Sequence, residues 1–213
     1  MSQSVEEWWE KNKIDMFWYK HRKMMGFNPD EPMNIQERLY WKRLNNEREK
    51  CLASTDPEYA ILRAPYFDKQ LFLEKWWDKL NIEEKEKYLL HVWGNKGGGN
   101  LYGYDWWLPY FNEVGFLTNI DESLPTKPVT LYRGVVPFFS NGMSWTSQID
   151  LARHFANSFS IMGEKKLYKT EVDPEDILGI VQGDVVNYNG KVEKNGLEYV
   201  INHRKLRMIE EIG

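Results

Sequence analysis

Residues 142–159 read GMSWTSQIDLARHFANSF. Three hydroxyl side chains, Ser144, Thr146 and Ser147, stand around Trp145. A strand-like run leads into them, and the apolar residues that follow recur at helical spacing. Small polar residues at such a handover have two uses. Their oxygens cap the free N–H groups of the next helix, and Ser147 or Thr146 is placed to cap QIDLARHF. A hydroxyl also donates and accepts hydrogen bonds, so it can line a substrate pocket. The flanking sequence has to decide between them.

Upstream, VTLYRGVV (129–136) is rich in β-branched and aromatic residues and reads as a strand that Arg133 closes. Downstream come KKLYKTEV, DILGIVQG, VVNY, LEYVIN and RKLRMIEEI, read as short strands, with Glu198 opening LEYVI. Asn189-Gly190 and Asn195-Gly196 are turn signals between them.

The first half has helical texture. Ser4 and Glu7 fit a capping box for a helix running to about Met25, before Gly26. Asn34 and Glu37 repeat the pattern ahead of Ile35, Leu39 and Leu44, which fall on one helical side. A third helix is expected over about 68–80, and Asn81 and Glu84 cap a fourth. YDWWLPYFNEV forms a fifth that ends at Gly115, with Pro109 setting its first turn apart. Helices first and strands later give an α+β protein. The expected division is a helical, Trp-rich lobe over 1–118 and a strand-rich core over 128–213. Residues 119–128 are either a linker or a loop inside one compact domain.

Of 213 residues, 42% are hydrophobic, enough to bury a core. The net charge is −4 and neither half is basic, which argues against indiscriminate duplex binding. The single cysteine, Cys51, excludes an internal disulfide and favours a reducing compartment. The N-terminus lacks a signal-peptide pattern, and no apolar run approaches the roughly 20 residues of a membrane span. The expectation is a soluble, cytoplasmic protein without a membrane partner. The four histidines show no metal-ligand spacing.

An arginine on a strand, a hydroxyl cluster about ten residues later and a glutamate on a later strand fall in order at Arg133, Ser144–Thr146 and Glu198. This order resembles the arginine–serine–glutamate class of ADP-ribosyltransferases over residues 128–213. The resemblance implies a split β-sandwich core with the helical lobe packed on it. It implies NAD as substrate and transfer of ADP-ribose to a macromolecular acceptor, protein or nucleic acid. Relatives of this kind often occur as bacterial or viral effectors and toxins. Glu198 would face the cation-like ribose carbon that forms as nicotinamide leaves, favouring the transition state over bound NAD. Arg133 would grip the pyrophosphate through paired hydrogen bonds. Ser144 would hold Glu198, with Thr146 supporting the strand edge. Gly134, Trp145 and Phe155 complete the expected cofactor wall. Tyr188, Asn189 and Lys191 would meet the acceptor.

The pattern departs from the family at Gly196, where members that modify arginine carry Glu or Gln. That position leaves NAD hydrolysis open beside transfer. A catalytically silent module that binds a nucleotide, a nucleic acid or a protein is a further alternative, as is a helical interaction protein. Taken singly, each residue also has a plain use: Arg133 as a surface ion-pair partner, the hydroxyls as caps, Glu198 as a solvated charge. GNKGGGN (94–100) lacks the ending of a phosphate loop and reads as a connection between helices. The tryptophan pairs at 8–9, 76–77 and 106–107 read as core residues, with one member of each pair left partly exposed.

Overall fold

The computed structural model describes residues 31–66, 68–94, 102–135, 140–158, 164–186 and 192–213. The expected first helix, the pair Trp8–Trp9, residues 95–100 and the acceptor contacts Tyr188, Asn189 and Lys191 lie outside these residues. The protein is α+β, with six α-helices and seven strands among the described residues. It divides into two compact units, Met1–Leu101 and Tyr102–Gly213.

The first unit is helical, and its helices begin where side chains satisfy the free N–H groups. Helix α1 (Ile35–Ala53) starts at a complete capping box. Asn34 Oδ1 accepts from the Glu37 N–H at 2.9 Å, and Glu37 Oε2 accepts from the Asn34 N–H at 2.8 Å. Helix α2 (Pro57–Arg63) has Pro57 in its first turn and Asp56 as cap. Helix α3 (Lys69–Trp76) runs on as a 3-10 turn, Trp77–Lys79. Helix α4 (Ile82–Gly94) opens on a second reciprocal box between Asn81 and Glu84, both bonds at 3.0 Å.

Ile61, Phe72, Leu73, Leu89 and Trp93 are at most 1% exposed and form the interior of this unit. Trp76 and Trp77 are both buried, so this pair does not split between core and surface. Helix α1 does not turn its Ile35–Leu39 side inward. Ile35 and Leu39 are 69% and 63% exposed, and the helix buries Glu37, Arg48 and Cys51 instead. Burial pushes the Cys51 thiol up to about 11, so it is a packed thiol rather than a nucleophile.

The second unit begins with a 3-10 turn, Tyr104–Trp106, and helix α5 (Leu108–Val114). The break before Leu108 is the expected one beside Pro109. Gly115 ends α5 at φ 80°, and its N–H bonds the Phe111 carbonyl at 2.9 Å. This segment was expected in the helical lobe, but it belongs to the sheet-bearing unit. Asp105 pairs with His203 and Arg204, and Asn119 hydrogen-bonds the backbone of Gln182. Contacts 60 to 100 residues apart in sequence decide this, and no local signal carries them. Residues 119–128 accordingly form a loop within one unit.

Two sheets follow. Strands β1 (Leu117–Thr118), β5 (Ile177–Val186), β6 (Val192–Ile201) and β3 (Ser144–Trp145) pair in the order β1-β5-β6-β3. Strands β2 (Val129–Val135), β4 (Lys166–Val172) and β7 (Glu210–Glu211) pair as β2-β4-β7. Leu131, Val135, Tyr168 and Val172 of the second sheet share one buried cluster with Trp145, Ile180, Tyr199 and Ile201 of the first. Helix α6 (Ile149–Ser158) lies against β2.

Two expected boundaries shift. Asn195-Gly196 is not a turn: Asn195 pairs with Asp184 and Gly196 with Gly183 inside the β5–β6 ladder. Glu198 therefore sits within β6, opposite Val181, rather than opening a strand. Arg133 likewise lies inside β2, opposite Tyr168.

Candidate functional site

Strand β3 is two residues long, yet it joins the two sheets. Ser144 pairs with Val200 and Trp145 with Tyr199 on β6. The next residue, Thr146, bridges to Tyr132 on β2, with N–H to carbonyl distances of 2.7 and 2.9 Å in the two directions. One residue beyond the bridge is Arg133. Side chains alternate along a strand, so Trp145 and Tyr199 share a face, and both are buried in the common core. Ser144 and Glu198 fall on the opposite face. Their register makes them a diagonal pair, a spacing of roughly 7–8 Å that long side chains span.

Arg133 is partly buried. Its Nη1 donates to the Ser144 carbonyl and its Nη2 to the Tyr104 hydroxyl at 3.2 Å. Burial pulls its pKa down, while the hydroxyl of Tyr104 and the carboxylate of Glu198 pull it up. The guanidinium thus lies within the field of the Glu198 carboxylate. The three residues read from the sequence as one set, at 133, 144 and 198, lie on β2, β3 and β6 where these strands adjoin, with Arg133 held by the backbone of Ser144 rather than by its hydroxyl.

The remaining candidates take different places. Trp145 is 2% exposed, and its Nε1–H donates to the Gly142 carbonyl at 2.7 Å. It fixes the loop beneath Arg133 from the core side. Thr146 is buried, and its Oγ1 accepts from the Gln148 N–H at 3.1 Å, leading the chain into α6. This is a turn ahead of the helix rather than a cap: the Gln148 carbonyl takes the first helical hydrogen bond, from the Ala152 N–H at 3.1 Å, so the expected cap at Thr146 or Ser147 is not the contact that forms. Gly134 leaves room for the backbone of α6: a Cβ there would overlap the Ala152 carbonyl oxygen and stand 2.7 Å from its carbon. Phe155 is 39% exposed on α6, beside His154. Gly196 is buried and faces Gly183 across the ladder, so neither strand offers a side chain at that level.

Sequence reading missed two members of the site. Tyr104 stands 29 residues before Arg133, in a segment assigned to another lobe. Gly142 lies close against the guanidinium: a Cβ there would meet Arg133 Nη2 at 2.5 Å and the Tyr104 hydroxyl at 2.8 Å. A glycine just ahead of the hydroxyl cluster was the only available signal, and it does not name its neighbour. Among the described residues, no group of three His, Cys, Asp or Glu is placed to hold a metal ion. No described helix is long and apolar enough to cross a membrane.

Comparison with known protein families, curated proteins and solved structures yields no match. The site is read on its own chemistry.

Proposed function

We propose that the protein is an NAD-dependent mono-ADP-ribosyltransferase, with its two sheets as a split β-sandwich core. The observation that carries this reading is the meeting of Arg133, Ser144 and Glu198 where the two sheets join. A guanidinium and a carboxylate in one partly buried place suit a ligand with an anionic pyrophosphate and a ribose that turns cationic. Arg133 binds the pyrophosphate, for which its planar fork is suited. Glu198 accepts from a ribose hydroxyl and stabilises the positive charge that grows as the bond to nicotinamide breaks. Ser144, diagonal to Glu198, keeps the carboxylate in one rotamer. The acceptor or water then attacks the ribose carbon, and nicotinamide leaves with the bonding electron pair.

One observation favours hydrolysis as a second reading. Gly196 and Gly183 face each other two residues from Glu198, where a side chain would otherwise engage an acceptor. Incubation with NAD labelled on its adenylate, in whole-cell lysate, separates the readings. Label on a macromolecule is the expected result. Nicotinamide release without macromolecular label makes the protein a glycohydrolase. Neither product, with NAD still bound, makes it a silent module and removes the catalytic claim.

A further inference from the structure

We propose that Tyr104 is a positioning residue of the dinucleotide site, setting the plane of the Arg133 guanidinium before substrate arrives. The proposal rests on the transferase reading above. It starts from a division of labour on one side chain: Nη1 is held by the Ser144 carbonyl and Nη2 by the Tyr104 hydroxyl. One anchor would leave the group free to turn about its last bonds. Two anchors on different nitrogens fix its plane, and fixed geometry is what paired recognition of a phosphate needs. Gly142 allows the close approach, because any Cβ there would push against both Arg133 and the Tyr104 hydroxyl.

Tyr104 is itself held. Its ring packs against His203, with centroids 5.6 Å apart. His203 is 11% exposed, and its Nε2 lies 3.1 Å from Oδ1 of Asp105, the residue after Tyr104 in the same 3-10 turn. Asp105 also accepts from Arg204 Nε at 2.6 Å. His203 Nδ1 is buried with no hydrogen-bond partner among the described residues. A doubly protonated ring would bury an unanswered N–H there, so the fit is to the neutral ring with its proton on Nε2. Asp105 and Arg204 are exposed, so their pair adds orientation rather than much stability.

His203–Lys205 is a 3-10 turn two residues past the end of β6, capped by Asn202. β6 carries Glu198. The chain of contacts Arg133–Tyr104–His203 therefore ties the phosphate-binding end of the site to the strand that holds the catalytic carboxylate. The spacing between the two ends is set by the protein before NAD enters.

Tyr104→Phe tests this, because it keeps the ring against His203 and removes only the hydroxyl. The expected result is an NAD dissociation constant and KM raised about tenfold, the weight of one hydrogen bond to a charged group, with kcat and melting temperature little changed. Nitrogen-15 NMR of the arginine side chain, without NAD, should show faster rotation of the Arg133 guanidinium in this variant. Arg133→Ala is titrated in parallel. If it weakens NAD binding while Tyr104→Phe changes neither affinity nor rotation, the positioning role is wrong and the transferase reading stands. If the wild-type protein binds no NAD, or Arg133→Ala binds it unchanged, the transferase reading falls and this proposal falls with it.

Discussion

Two glycines beside Arg133 show how the same residue type serves different ends. At Gly134 a side chain would run into the backbone of α6, which cannot turn aside. Gly134→Ala should therefore destabilise the sheet-bearing unit by about 1–3 kcal/mol, lowering the melting temperature of the protein. At Gly142 the obstructing atoms are the tips of Arg133 and Tyr104, which can swing away. Gly142→Ala should leave the melting temperature nearly unchanged and weaken NAD binding at least about tenfold, the weight of a lost hydrogen bond to a charged group. Calorimetric titration beside thermal unfolding checks both. Loss of stability without loss of affinity at Gly142 would remove the packing of Arg133 as the reason for that glycine. Neither glycine's role is visible in sequence, because each is defined by a neighbour brought close by the fold. Arg133, Ser144 and Glu198 stand out in sequence as an ordered set, and the fold places them on adjoining strands.

Among the elements, those with local causes were read best. The boxes at Asn34–Glu37 and Asn81–Glu84, the stop at Gly115 and the break at Pro109 all involve groups within four residues of one another. Asn195-Gly196 misled, because pairing along β5 absorbs it into a strand. Helix α1 misled more deeply, since it buries charged groups and exposes Ile35 and Leu39. Its Arg48 Nε lies 3.5 Å from Oδ2 of Asp68, which is 0% exposed. Neither Asp68 oxygen has a hydrogen-bond partner among the described residues.

Burial pushes the Asp68 carboxyl up to about 7, with Arg48 opposing. Next to it, Lys69 Nζ donates to the Leu62 carbonyl at 2.8 Å and to the Ile61 carbonyl at 3.3 Å at the end of α2. Burial brings the Lys69 amine down to about 8. The sign for Asp68 follows from linkage. Its folded pKa lies above the unfolded value of 3.8, so the folded state binds more protons between the two. Asp68 therefore removes stability as pH rises from about 4 to about 7, approaching roughly 4 kcal/mol at the upper end. Asp68→Asn mimics the protonated form. Its melting temperature should match wild type near pH 4 and exceed it increasingly up to pH 7.5. A constant difference across that range would show that the carboxyl does not titrate there.

At the scale of the whole molecule, the fold class was legible and the division of the chain was not. Composition and the change from helical to strand-like texture suffice for α+β. The boundary moves from 118 to 101 because Tyr104, Asp105 and Asn119 find their partners far along the chain. That shift brings Tyr104 into the same unit as Arg133 and Glu198, so the unit from Tyr102 to Gly213 carries every element of the candidate site. The central claim is that a carboxylate there stabilises a ribosyl cation, and nicotinamide release from NAD reads it directly. Wild-type protein should release nicotinamide, and Glu198→Gln, folded to the same melting temperature, should do so at least about 100-fold more slowly. Equal rates from the two folded proteins would contradict it.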